Sequence, residues 1–132
     1  MRVLADTTAL IAARRGRRAP SALFRELAED ELWVCDVVRL ELLRGAPARH
    51  MRALRAELDE MLNAPIDEQV WRRAEEIYDG LARLKGGRHR GVQPTDALVA
   101  AAAEAHDLAV LHDDAHFDLI AEVTGQEMLR LP

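Results

Sequence analysis

Four carboxylates stand where they could do chemistry: Asp6, Glu41, Asp96 and Asp114. Asp6 ends the apolar run Val3-Leu4-Ala5, and Glu41 interrupts the mainly apolar stretch Val38-Arg39-Leu40-Glu41-Leu42-Leu43. Asp96 follows Pro94-Thr95 at the head of an alanine-rich segment, and Asp114 closes His112-Asp113-Asp114 after another apolar run. Each also has an ordinary structural reading. Asp6, Asp96 and Asp114 suit helix caps or first turns, where free backbone N–H groups and the helix dipole favour Asp. Glu41 suits the solvated side of an amphipathic helix. Gathered together, however, bare carboxylates repel one another and take up protons unless cations intervene. Hard divalent cations with oxygen ligands answer that need, so Mg²⁺ or Mn²⁺ fits better than zinc. The histidines (His50, His89, His106, His112 and His116) form no zinc spacing, and the single cysteine, Cys35, cannot complete one. A carboxylate-bound divalent ion that keeps several waters can activate one for attack and stabilise charge in phosphodiester cleavage. The Thr8 hydroxyl can orient a carboxylate or a metal-bound water, while helix capping remains open to Thr7 and Thr8 alike.

The elements that must position these acids follow from apolar periodicity. Residues 2–5 form a first short strand, and 10–13 continue as a brief helical turn before an Arg/Gly/Pro loop. Pro20-Ser21 opens a helix. Leu32-Trp33-Val34-Cys35 is a second strand, followed directly by Asp36 and by a helix over 37–44 that Gly45 and Pro47 end. Amphipathic helices are predicted over 50–62 and 67–85. A glycine-bracketed loop over 86–91 precedes the helix that starts at Pro94-Thr95 and runs through Ala100-Ala101-Ala102-Ala103, whose small side chains permit close packing. A third strand over 108–111, a short helix over 117–123 and a last strand over 128–131 complete the chain. Apolar strands alternating with helices indicate an α/β fold with a mostly parallel sheet. Ligands of such sheets bind at the carboxyl ends of the strands, where strand order switches. Asp6, Asp36 and His112-Asp113-Asp114 all follow strands, so one rim of the sheet collects the polar groups.

A length of 132 residues fits one domain over 1–132. With 49% hydrophobic and 31% charged residues the chain is globular rather than disordered. No apolar run approaches the roughly 18 residues of a membrane span, and the N-terminus lacks the apolar core of a signal peptide, so a soluble cytoplasmic protein is expected. Cys35 has no partner for a disulfide and reads as a small buried hydrophobe. The net charge of −5 argues against a protein that coats nucleic acid generically. Yet the cations are concentrated. Lys85 is the only lysine, Arg14, Arg15, Arg17 and Arg18 form one basic knot, and Arg88 and Arg90 flank His89 in another. Each knot reads either as a solvated loop or as a set of planar forks suited to phosphate and carboxylate.

In their order and spacing, VLADTTAL, VVRLELLRGA and PTDALVAAAAEAHDLAVLHDDAHFDLIA resemble the PIN-domain ribonucleases of the VapC toxin type, from bacterial type II toxin–antitoxin pairs, over essentially the whole chain. The resemblance implies a three-layer α/β PIN-like domain, with a mostly parallel central sheet flanked by helices. It implies an endoribonuclease that uses Mg²⁺ or Mn²⁺ to cut tRNA or other structured RNA with activated water, leaving 5′-phosphate and 3′-hydroxyl ends. By position, Asp6, Glu41, Asp96 and Asp114 match the family's acidic, metal-holding quartet, with Glu41 orienting or deprotonating the water. Thr8 matches its hydroxyl or amide position two residues after the first Asp. Such proteins are commonly homodimers, silenced by a small cognate antitoxin whose segment occupies the groove near the acids. Arg14, Arg15, Arg17, Arg18, Arg88, Arg90 and His116 then become candidate contacts to RNA or antitoxin. One departure stands out: many relatives carry a further acid immediately before the Phe, where this chain has His116 before Phe117.

Two other classes compete. An Asp ending a first parallel strand also fits phosphoaspartyl enzymes, but dehalogenase-like phosphatases need a second Asp two residues on, where Thr8 stands, and receiver domains need a late lysine, whereas the only one is Lys85. A non-catalytic PIN-like module that binds RNA or protein is the other; the intact quartet weighs against it.

Overall fold

Val3, Leu4 and Ala5 are fully buried because their strand, β1 (Arg2–Ala5), is the middle of a five-stranded sheet. The computed structural model describes residues 2–15 and 31–130; the helix expected from Pro20-Ser21 lies outside them. The other strands are β2 (Glu31–Val34), β3 (Leu62–Asn63), β4 (Ala109–His112) and β5 (Met128–Arg130). Their order is β3-β2-β1-β4-β5, and every pairing is parallel. Leu4 lies opposite Trp33 on one side and Val110 on the other. From β1 the chain builds outward through β2 and β3, then returns to β4 on the opposite side. The gap between the carboxyl ends of β1 and β4 is therefore a topological switch point.

Six helices among the described residues cover the sheet: α1 (Thr7–Arg15), α2 (Asp36–Gly45), α3 (Met51–Asp59), α4 (Glu68–Arg83), α5 (Pro94–Ala105) and α6 (His116–Thr124). The pleat sends alternate side chains to opposite faces. Leu4, Val34 and Val110 join the main core with α2, α4, α5 and α6, while Val3, Ala109 and Leu111 pack with Ala9 of α1 in a second cluster. The parallel sheet is the one that the strand–helix alternation indicated, and the three-layer arrangement is the one that the resemblance implied.

Helix α5 is buried without interruption from Asp96 to Ala103. Its alanines let its backbone approach its neighbours, and it packs most extensively on α4. Arg73 of α4 fixes that pairing by donating from Nε to Glu104 Oε1 (2.6 Å) and from Nη2 to Glu104 Oε2 (3.1 Å), the bidentate geometry that a guanidinium offers a carboxylate. On another side of α4, a Cβ built on Gly80 would overlap Cγ1 of Val123 in α6. Gly80→Ala gains roughly 1 kcal/mol of helix propensity, but overpacking at a helix contact costs about 1–3 kcal/mol. Net destabilisation is expected in a urea titration; a stabilised variant would show that α6 shifts freely.

Several element bounds differ from expectation. The helix predicted over 50–62 divides into a 3₁₀ turn (Ala48–His50), α3 and the two-residue strand β3. Helix α3 stops because Glu60 and Met61 donate to the Glu57 and Leu58 carbonyls in tight three-residue steps. The chain then turns to pair beside Trp33 and Val34, although both β3 residues are exposed and carry no periodic signal. Helix α1 starts at Thr7 rather than residue 10, and α4 runs Glu68–Arg83 behind an Asp67 cap that accepts the Val70 N–H at 3.0 Å. His112 is the last residue of β4, not part of the loop after it. The expected loop at 86–91 contains a short 3₁₀ turn, His89–Gly91.

Candidate active site

Asp6 leaves β1 at its carboxyl end, and its own N–H extends the ladder to β4 by donating to the Leu111 carbonyl (2.9 Å). Its Oδ2 accepts the Thr8 N–H at 3.1 Å and the Thr8 hydroxyl at 2.6 Å. That is N-cap geometry for α1, so the capping and rim readings of Asp6 describe one and the same carboxylate. The Thr8 hydroxyl oxygen in turn accepts the Asp113 N–H at 3.0 Å. One side chain thereby ties the segment after β1 to the segment after β4.

Asp114 is held from both sides. Its N–H donates to His112 Nδ1 (3.1 Å), and its Oδ1 accepts the His116 N–H (2.9 Å) at the start of α6. His112 is fully buried, which lowers its pKa, and its ring rests against Phe117 at 5.1 Å between centroids. Since Nδ1 accepts a bond, the neutral imidazole carries its proton on Nε2.

Asp96 sits in the first turn of α5, behind Pro94 at a position where a proline N–H is not missed. The segment entering α5 is anchored by the Tyr78 hydroxyl, which donates to the Val92 carbonyl at 2.6 Å. Glu41, on α2, is partly exposed, and its Oε1 accepts the Thr7 hydroxyl at 3.1 Å.

The electrostatics show how near the four acids lie. Asp96 is pushed up to about 7, first by burial and then by the negative charges of Asp6, Asp114 and Glu41. Asp6 is raised as well, mainly by burial, with Asp114 adding to it and hydrogen bonds from Thr8 and Thr7 opposing. Four segments distant in sequence thus deliver carboxylates to one neighbourhood at the switch point, with Asp6 and Asp96 only 2% and 8% exposed. An arrangement that burial and mutual repulsion both disfavour in its ionised form is suited to a divalent cation.

His116, a candidate contact to RNA or antitoxin, stands among the acids. Its Nδ1 is 3.4 Å from Asp114 Oδ1 and 3.7 Å from Asp96 Oδ2. Ligand atoms of Asp96, Asp114 and His116 all lie within 4.8 Å of one another. Arg88 and Arg90 are exposed around the His89–Gly91 turn, ahead of α5. Arg14 and Arg15 end α1, but their side chains, like the whole of Arg17 and Arg18, lie outside the described residues. Cys35 is fully buried and its thiol is pushed up to about 11 by that burial.

Two supporting residues were not singled out by sequence reasoning. Thr7 holds Glu41, and its signal was only a second hydroxyl beside Thr8. His112 holds the backbone of Asp114; a histidine ending an apolar strand two residues before a candidate ligand was the available sign.

The PIN domain family matches residues 3–123 of the chain. The chain is 39% identical over 101 residues to Ribonuclease VapC18 of Mycobacterium tuberculosis, covering 76% of this chain and 74% of that protein. It is 31% identical over 123 residues to Ribonuclease VapC19 of the same organism, covering 91% and 95%. Among solved structures, a member of the VapBC family of toxin–antitoxin systems, VapBC-5 from Mycobacterium tuberculosis, superposes with a TM-score of 0.68 at 26% identity, covering 98% of both chains. DNA-bound VapBC from Salmonella typhimurium shares the fold with a TM-score of 0.78, at 19% identity and 98% coverage of both. A family match spanning nearly all of the chain and relatives above 30% identity lead to one conclusion: this chain belongs to the PIN-domain family, among the VapC ribonucleases.

Proposed function

We propose that this protein is the toxin of a toxin–antitoxin pair, an endoribonuclease that uses Mg²⁺ or Mn²⁺ to hydrolyse phosphodiester bonds in tRNA or other structured RNA. The observation that carries this reading is Asp96, raised to about 7 first by burial and then by the charges of three carboxylates from three other segments. The donors fit such an ion: they are hard oxygens, already crowded, and beside them is a buried imidazole nitrogen, His116 Nδ1, that has no hydrogen-bond partner. A divalent ion bound there supplies a water of lowered pKa and offsets charge on the phosphoryl and leaving oxygens.

The chain's own residues divide the remaining work. Asp6, Asp96 and Asp114 hold the cation. Thr8 locks Asp6 through its N–H and hydroxyl, and the His112 ring and the His116 N–H lock the segment carrying Asp114. Glu41, steadied by Thr7, orients the attacking water or accepts its proton. Arg88 and Arg90 attract RNA phosphate locally once the acids are neutralised, in spite of the net charge of −5. VapBC complexes among the structural neighbours support a small antitoxin as partner; a homodimer and a cytoplasmic site of action, where RNA substrates are found, belong to the same proposal.

The test is incubation of the protein with tRNA and structured RNAs, with Mg²⁺, Mn²⁺ or a chelator. Cleavage should require the metal, leave 5′-phosphate ends, and fall about 100-fold or more in Asp6→Asn and Asp114→Asn. Cleavage that persists in both variants, or 2′,3′-cyclic phosphate ends, would overturn the mechanism.

A further inference from the structure

We infer that His116 is a nitrogen ligand to the same divalent ion, so that this site is a mixed nitrogen–oxygen site which favours Mn²⁺ over Mg²⁺. The inference rests on the metal-dependent reading above and adds a residue and a metal preference to it. His116 Nδ1 is buried and makes no hydrogen bond, although 39% of the side chain is exposed. It stands 3.4 Å from Asp114 Oδ1 and 3.7 Å from Asp96 Oδ2. Adjacent ligands of an octahedral ion with bonds of about 2.1 Å lie about 3.0 Å apart, and opposite ones about 4.2 Å apart. The two separations from His116 Nδ1 fall between those values, and all three atoms lie within 4.8 Å of one another, close enough to converge on one cation with small side-chain shifts. Each approaches from a different backbone position: Asp96 from the first turn of α5, Asp114 from the loop after β4, and His116 from the first residue of α6. The His116 N–H also holds Asp114 Oδ1, so the residue fixes one ligand with its backbone and offers a second with its ring.

Chemistry then sets the preference. Mg²⁺ dehydrates reluctantly and takes oxygen donors, whereas Mn²⁺ shares its taste for carboxylates but, as a first-row transition metal, tolerates an imidazole nitrogen better. A carboxylate at position 116 would leave an all-oxygen set without that bias.

Mn²⁺ itself is the probe. With the whole chain and no RNA, pulsed electron paramagnetic resonance of bound Mn²⁺ should show coupling to one ¹⁴N nucleus, lost in His116→Gln. Titration should show Mn²⁺ affinity falling about tenfold in His116→Gln, with Mg²⁺ affinity changing by less than about twofold. His116→Asp should bring the two metals' affinities together. If Mn²⁺ binds in a manner abolished by Asp96→Asn yet shows no nitrogen coupling, the His116 assignment is overturned and the metal-dependent reading stands. If Mn²⁺ binding is absent, or is indifferent to Asp96→Asn and Asp114→Asn, that reading fails and takes the assignment with it.

Discussion

Asp96→Asn should stop RNA cleavage and, in the same protein, raise the stability of the metal-free form at pH 8. The two effects have one cause. Asp96 titrates near 3.8 in an unfolded chain and at about 7 in the folded one, because burial and the charges of Asp6, Asp114 and Glu41 oppose its ionisation. Between those values the folded state holds a proton that the unfolded state has released. Stability contributed by this group is therefore full below about pH 4, declines as pH rises, and is gone above about pH 7. Asparagine has the same shape and no charge, so at pH 8 the variant escapes the penalty. The gain is on the order of 2–4 kcal/mol, and it should vanish near pH 4. Buried His112, with a lowered pKa, contributes the opposite slope in both proteins and drops out of the difference. Urea titrations in chelator at the two pH values check the sign. Equal stability at pH 8 would mean that Asp96 is not crowded by charge. Added Mn²⁺ should raise the melting temperature of the natural chain at pH 8 and leave the variant's unchanged. A site that weakens its own fold until its ligand arrives is a stability–function trade-off at a single residue.

Phe117→Ala should cost about 3–5 kcal/mol, the range for deleting a buried aromatic side chain. Phe117 is fully buried and is the largest side chain in the fully buried core. Its ring also backs the His112 imidazole, and that imidazole accepts the Asp114 N–H. The variant should therefore lose cleavage activity even at temperatures where it remains folded, because the segment bearing Asp114 loses its support. Phe117→Leu, which keeps most of the volume, should cost less than about 1.5 kcal/mol and retain activity. Denaturant titration and cleavage assays on both variants separate packing from site geometry. A loss below about 1 kcal/mol for Phe117→Ala would show that α6 collapses into the space.

Some of this architecture was legible in the residues alone. Val3-Leu4-Ala5 and Leu108 to Leu111 are too apolar to be anything but buried, and their separation by helical periodicities requires parallel strands with crossovers. An Asp after each of β1 and β4, and Pro94-Thr95-Asp96 opening a helix, put three acids at the ends of elements. Strand β3 was not legible, because Leu62 and Asn63 are exposed and are strand residues only through their pairing beside Trp33 and Val34. The place of His112 inside β4 was hidden for a related reason: a polar residue ending an apolar run looks like the start of a loop until its burial is known.

By itself, then, the chain determined most of its elements and the acids at their ends, because periodicity, capping and apolar runs are local properties. Which acids meet was decided by the tertiary structure alone. The order β3-β2-β1-β4-β5 sets β1 beside β4, and burial of the α5 alanines carries Asp96 into the charge of Asp6, Asp114 and Glu41. Electrostatic crowding depends on distance and on exclusion of water, and neither is a property of sequence spacing. For the same reason His116, in the sequence only a candidate contact to RNA or antitoxin, acquires its place among the acids only when the start of α6 brings its Nδ1 toward Asp96 and Asp114.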